Sequence, residues 1–293
     1  MHKYMRAIGF SDYTDRKKMR ELLKNVVINA DERAYTLSDD DVMIGEFCRG
    51  FAENMGIAVC GEFDDEDKFT YEYYYPYLRG TGVTTTEDVS VERHAARESY
   101  AGVCDDVKVG ITLIFYLQNM IPYVRARFCG QLPIKGTSLT LSALSIGGSI
   151  MMPIKKDEMQ RQRVLRDSVN RSKLIAAARQ GDEEAMETLT LEDMDMYTTI
   201  SRKIQKEDVF SIVDTYFMPY GVECDHYSVL GEIVACKKVK NRLTEEEIYL
   251  LTICCNELTF DVAINIIDLF GEPQAGRRFK GIIWLQGYIN FPQ

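Results

Sequence analysis

The last third of the chain alternates. Phe279, Gly281, Ile283, Leu285, Gly287, Ile289 and Phe291 take every second position, opposite Lys280, Ile282, Trp284, Gln286, Tyr288 and Asn290. A repeat of two is the period of an extended strand, whose successive side chains point to opposite faces. The same pattern runs through Leu258, Phe260, Val262, Ile264 and Ile266, and through Tyr249, Leu251, Ile253 and Cys255, while residues 228–239 read as a further strand. Four long strands joined by short turns predict a small antiparallel barrel or strongly twisted sheet. Gly281 and Gly287 on the inward face suit the tight bends of a barrel. Thr244-Glu245-Glu246-Glu247 has the form of a capping box and predicts a helical turn before the second strand.

Upstream the periods change. Met19, Leu22, Leu23, Val26 and Val27 recur at helical spacing behind the cap-like Thr14-Asp15, which predicts a helix over 15–28. Residues 42–47 and 56–63 read as strands, and the acidic run Asp64-Asp65-Glu66-Asp67 as a turn into a strand over 69–75. Val107, Val109, Ile111, Leu113, Phe115 and Leu117 predict one long strand, and Val124, Ala126 and Phe128, opposite Arg125 and Arg127, a second beyond a turn at Gln118-Asn119. Residues 139–150 continue the sheet, with Gly147-Gly148 as a hairpin turn. Past Pro153 the texture is helical: residues 155–206 hold one Gly and no Pro, and the helices break at Gln180-Gly181-Asp182, with Gly181 at a C′ position and Asp182 as an N-cap. Residues 209–217 fit a helix and a strand equally well. The expected class is therefore α+β: an antiparallel β-rich N-terminal domain over 1–154, a helical connector over 155–208 and a small C-terminal antiparallel β domain over 209–293.

Composition narrows the function classes. Of 293 residues, 46% are hydrophobic and 27% charged, enough apolar material for a sizeable core and too much for extended disorder. The formal net charge of −10 repels polyanions, so nucleic acid is not an expected partner. The start carries no apolar run of signal-peptide type, and the longest strongly apolar stretch, residues 109–117, is too short to span a bilayer as a helix. The expected location is cytoplasmic, with no membrane association. Eight cysteines at scattered spacings read as reduced thiols.

Three constellations could carry chemistry. In Arg93-His94-Ala95-Ala96-Arg97-Glu98, followed by Cys104 and Asp105, a thiol, an imidazole and carboxylates stand close in sequence, the residue types of a nucleophilic or acid–base site. His94, Glu98, Cys104 and Asp105 are the candidate catalytic residues; the opposing reading is a solvated loop with Cys104 packed beneath it. Cys224-Asp225-His226 with Cys236 is the one metal-like spacing, but a fourth ligand is missing and neither a metal nor a cofactor is expected. Gly271-Glu272-Pro273-Gln274-Ala275-Gly276 leads into Arg277-Arg278, where a phosphate loop would need Lys and Ser or Thr, so nucleotide hydrolysis is excluded. Arg277, Arg278 and Lys280 remain candidates for gripping an anion. The run Phe69, Tyr71, Tyr73, Tyr75 and Tyr77 is read as core, with stacking on carbohydrate or peptide as its functional alternative.

Three strings carry a resemblance. Met1-His2-Lys3-Tyr4 with Arg6-Ala7-Ile8-Gly9-Phe10, the run from Glu98-Ser99-Tyr100 to Cys104-Asp105, and Gly276-Arg277-Arg278-Phe279-Lys280-Gly281 with Ile282-Ile283-Trp284-Leu285-Gln286-Gly287 resemble a full-length bacterial family of anaerobic Firmicutes known as a domain of unknown function. The resemblance spans essentially the whole chain. It implies a cytosolic bacterial protein of intact length, and no activity, ligand or site residue. The expected function is a non-enzymatic binding or adaptor protein with a protein or small-molecule partner, and the alternative is an enzyme working around His94, Glu98, Cys104 and Asp105.

Overall fold

The computed structural model describes all residues except 1, 39–40, 94–99, 107–110, 131, 133–135, 155–169, 172, 179, 205–208 and 293. A 3-10 helix, Lys3–Ile8, leads to α1, Arg16–Ile28, and then to four strands, β1 Glu32–Leu37, β2 Met43–Ala52, β3 Met55–Phe63 and β4 Phe69–Leu78. These four pair antiparallel in chain order. Asp15 caps α1 by accepting from the Lys17 N–H at 2.9 Å, and Met19, Leu22, Leu23 and Val26 bury its apolar stripe.

The second sheet draws on both ends of the chain. It contains β5 Val89–Arg93, β6 Tyr100–Asp106, β7 Ile111–Leu117 and β8 Ser138–Met151, then β9 Tyr216–Pro219, β10 His226–Lys240, β11 Glu247–Cys255, β12 Leu258–Asn265, β13 Leu269–Phe270 and β14 Arg278–Asn290. β14 pairs antiparallel with β10 over 278–284 and with β8 over most of its length; β8 lies parallel to β12, β12 antiparallel to β11, and β11 antiparallel to β10. The circuit β8–β12–β11–β10–β14 closes on itself, so the alternating C-terminal strands do form a barrel. Its fifth stave, β8, precedes the helical connector.

Alternation decides what each face touches. Leu251, Ile253, Phe260, Val262, Phe279 and Ile283 fill the barrel interior, while Ile248, Leu250, Ala263 and Trp284 from the same strands enter a second core. That second core lies between the barrel's outer wall and the four-stranded sheet. The 3-10 helix supplies Tyr4, Met5, Ala7 and Ile8 to it, all essentially inaccessible. Turn residues between β10 and β11 clamp this N-terminal segment: Asn241 Nδ2 donates to the Ile8 carbonyl at 2.8 Å, Thr244 Oγ1 to that of Gly9 at 2.5 Å, and Glu246 accepts from the Ser11 N–H at 3.0 Å. The string read as a capping box therefore forms a turn without a helix, Thr244 and Glu246 reaching across the fold while Glu245 and Glu247 pair with Lys240 and Lys238.

Two further expectations are corrected. Residues 120–128 form a helix, α2 Met120–Phe128, where a strand was expected. Met120, Ile121 and Val124 fall on one helical face and bury it, and Arg125 and Arg127 lie in the last turn, where cations oppose the exposed carbonyls. Gly147-Gly148 makes no hairpin turn, for β8 continues through it, with a register shift against β14 between Ser145 and Gly148. A Cβ on Gly148 would stand 2.5 Å from Cε2 of Phe279, so this glycine makes room for a ring in the barrel.

In the connector, residues 173–178 are helical, Gly181 takes φ +91°, and α3, Glu183–Ile204, begins behind Asp182, whose carboxylate accepts from the Ala185 N–H at 3.1 Å. The ambiguous segment resolves into both options: a short helix, α4 Val209–Ile212, then β9. Residues 155–169 of the connector lie outside the described residues.

Candidate functional site: a cleft over a buried glutamate

His94 and Glu98 lie outside the described residues. Cys104 is fully buried in the barrel core, and Asp105, next along β6, is exposed on the opposite face, where it accepts from Thr112 Oγ1 at 2.5 Å. These two side chains therefore do not meet. Arg277 donates to the Glu272 carbonyl at 2.7 Å. Arg278 is buried and donates to four carbonyls, Met152 at 3.1 Å, Val213 at 2.9 Å, Asp214 at 3.3 Å and Phe210 at 2.8 Å. Its guanidinium fastens the end of α4 to the barrel. Lys280 Nζ lies 4.0 Å from the centroid of the Phe210 ring.

The structure brings a different group of residues together, on the face of the four-stranded sheet that meets the barrel. Strand register aligns Ala34, Glu46, Cys60 and Tyr73 in one row across β1–β4, and Glu32, Cys48, Ala58 and Tyr75 in the next. At the rim, Arg79 and Glu32 form a two-pronged ion pair at 2.5 and 2.6 Å. Opposite them stand Gln118 and Asn119 at the β7–α2 junction, Pro122 of α2 and Tyr288 of β14. Together these residues enclose a cleft of about 120 Å³ with Glu46 in its wall.

Glu46 is 6% exposed, and burial pushes its carboxyl up to about 7 against the opposing effect of Tyr75 and Cys60. Tyr75 Oη lies 2.5 Å from Glu46 Oε1 and 3.1 Å from the Gln118 carbonyl, and Cys60 Sγ lies 3.7 Å from the same Oε1. One phenolic proton cannot serve two acceptors fully. With Glu46 protonated, its own O–H can be donated and Tyr75 is free to donate to Gln118; with Glu46 ionised, Tyr75 turns to the carboxylate. The partners are held in place. Gln118 Nε2 donates to the Leu78 carbonyl and to Gln286 Oε1, both at 2.8 Å, and Asn119 exchanges two hydrogen bonds with the backbone of Ile289.

Sequence reasoning passed over Glu46 because it stands in a strand read only as apolar. The available signal was a lone acid at an inward position between Ile44 and Cys48, with tyrosines recurring at alternate positions nearby. Of the aromatic run read as core, Tyr75 and Tyr77 are buried and line the cleft, Phe69 and Tyr73 are half-buried, and Tyr71 is exposed.

A second polar cluster surrounds the chain's one tryptophan. Asp225 accepts from His226 Nδ1 at 2.8 Å and from Trp284 Nε1 at 2.7 Å. Burial pushes Asp225 up, but these two hydrogen bonds outweigh it and hold the carboxylate below its usual range. An acceptor-only carboxylate fixes the His226 proton on Nδ1. His2 packs on the Trp284 ring at 4.7 Å between centroids, and burial drives its imidazole down to about 4. Neither His2 Nδ1 nor His226 Nε2 finds a hydrogen-bond partner among the described residues. Cys224 and Cys236 are exposed, away from buried His226, and among the described residues no group of three His, Cys, Asp or Glu side chains is placed to hold a metal ion.

Comparison with known proteins yields one match. Residues 5–287 fit the family described as "Domain of unknown function, E. rectale Gene description (DUF3881)". The chain belongs to this family. The match takes in both sheets, the connector and every residue of the cleft except Tyr288. No curated protein and no solved structure matches the chain. Among the described residues, no helix is long and apolar enough to cross a membrane.

Proposed function

We propose that this DUF3881 protein is a non-enzymatic binding protein of the bacterial cytoplasm that holds a small molecule in the cleft between its two sheets. One observation carries the reading: a carboxyl buried at the wall of that cleft, hydrogen-bonded to a phenol and a thiol and, among the described residues, in no ion pair. Burying an acid without a counter-charge costs stability, and an apolar side chain would fill the same space at no such cost. A group that opposes folding yet sits in a concave junction between sheets is a candidate for recognition. All eight cysteines are free thiols, four of them buried, which suits a reducing compartment.

The test is a fragment screen by two-dimensional NMR and thermal shift on the wild type and on Ala34→Phe, which fills the cleft from β1. Hits should perturb residues around Glu46, Gln118 and Tyr288 in the wild type and be lost in the filled variant. Hits that survive Ala34→Phe unchanged, or that cluster elsewhere, would rule out the cleft as the binding site.

A further inference from the structure

We infer that the ligand of this cleft is a small organic ammonium ion, paired with the Glu46 carboxylate and packed against tyrosine faces; this rests on the binding reading given above. Three features converge on that chemistry.

The first is size. A dry protein cavity of about 150 Å³ holds one benzene molecule, so a cleft of about 120 Å³ suits a ligand of roughly four to seven heavy atoms. The second is the wall. Tyr75, Tyr77 and Tyr288 line the cleft together with Pro122, and aromatic rings beside a carboxylate are the surroundings in which an ammonium group is best held, by the ring quadrupole on one side and the charge on the other. One cation already uses this surface: the guanidinium of Arg79 lies 5.2 Å from the centre of the Tyr77 ring.

The third feature is the charge inventory around Glu46. From β3 it is faced by the Cys60 thiol, from β4 by the Tyr75 and Tyr73 phenols, from β7 by the Tyr116 phenol, which burial holds neutral, from its own strand by the Cys48 thiol, and from the rim by the pair Arg79–Glu32. Burial holds Cys48, Cys60 and Tyr75 in their neutral forms by pushing all three well up from their ordinary values. Two arginines line the cleft: Arg79 is held in two-pronged contact by Glu32, and Arg33 donates to the Ile28 carbonyl at 3.1 Å. Among the described residues Glu46 makes no ion pair, Arg79 acting on it only from the rim, and the hydrogen bonds from Tyr75 and Cys60 both go to Oε1. An anion would meet the carboxyls of Glu32 and Glu46, while the guanidinium groups of Arg79 and Arg33 are already engaged by Glu32 and the Ile28 carbonyl. An ammonium ion would supply the missing partner, and Glu46 would pass its proton to solvent as the ion enters.

Proton release makes the inference measurable. Because the ammonium pairs with the ionised acid, its affinity should rise about tenfold between pH 6 and pH 8 and level off above that. Butylammonium, butan-1-ol and butyrate are matched in size and differ in charge. Titration of each into the full-length protein, followed by NMR and by calorimetry in two buffers of different ionisation enthalpy, separates the cases. The expected result is butylammonium binding at the cleft in millimolar concentration or below, with close to one proton released at pH 6. Glu46→Gln should weaken it at least tenfold and abolish the pH dependence; the proton count on the wild type decides the same question should the variant fold poorly. If butanol binds as well as the amine with no proton released, or butyrate binds better, the cation is wrong while the cleft stands. If no probe perturbs the cleft and Ala34→Phe also leaves fragment hits unchanged, both inferences fall.

Discussion

Glu46 and His2 are two buried titratable groups whose effects on stability have opposite signs. Burial raises the folded Glu46 pKa from 4.5 to about 7, so the folded state holds an extra proton between those values. Its contribution is therefore fully present below pH 4.5 and is lost as the pH rises through 7. Burial lowers the folded His2 pKa from 6.5 to about 4, so here the unfolded chain holds the extra proton. That contribution is present above pH 6.5 and is lost as the pH falls through 4. The two slopes oppose one another between pH 4.5 and 6.5, and the wild type should vary little there. Urea denaturation across pH 4–8 should show Glu46→Gln gaining on the wild type at pH 8 by on the order of 1–3 kcal/mol. His2→Phe should remove the loss on the acid side, and Trp284 fluorescence reports that limb directly because the two rings are in contact. Variants that shift stability equally at every pH would show that neither group titrates as its surroundings dictate.

Among the elements, period and spacing told most where one face alone is buried. The stripe of α1, the strands on either side of the acidic turn and the alternating C-terminal strands stand where the sequence places them, because each meets a core on one predictable side. Legibility failed where a short apolar run fits both periods. Val124, Ala126 and Phe128 alternate as a strand would, yet Met120, Ile121 and Val124 bury a helix. It failed again where glycine makes space for another residue. Gly281 and Gly287 read as bends; the pairing of β14 with β8 does shift register beside Gly281, but at both positions the glycine also makes space, for a Cβ on Gly287 would come within 2.3 Å of Cδ2 of Phe115 and one on Gly281 within 2.5 Å of Cζ of Phe279. Phe115 belongs to β7, far off in sequence, so nothing local to β14 announces the need. Gly287→Ala should accordingly cost about 1–3 kcal/mol through overpacking. Phe115→Leu in the same chain should recover part of that loss, and a double-mutant cycle by chemical denaturation checks the coupling. Strictly additive costs would mean that the ring and the glycine do not constrain each other.

At the scale of the whole molecule, two cores share the barrel wall. Strands β8, β11, β12 and β14 send alternate residues inward to the barrel and outward to the second core, where the 3-10 helix and the four-stranded sheet cover them. Periodicity announces the inner face. The outer one is hidden in the sequence, because what covers Ile248, Leu250, Ala263 and Trp284 comes from the first eighty residues. The cleft was illegible for the same reason: Glu46, Tyr75, Gln118 and Tyr288 meet only once the first sheet has docked on the barrel. That docking buries Glu46 and strips it of water, so the protonation of this carboxyl reports both the assembly of the two sheets and the readiness of the cleft. Its titration is the most direct test, followed by carbon-detected NMR of the side-chain carboxyl in the full-length protein. A midpoint near 7 that moves down when butylammonium is added is the predicted result; a midpoint near 4.5, indifferent to the amine, would contradict it.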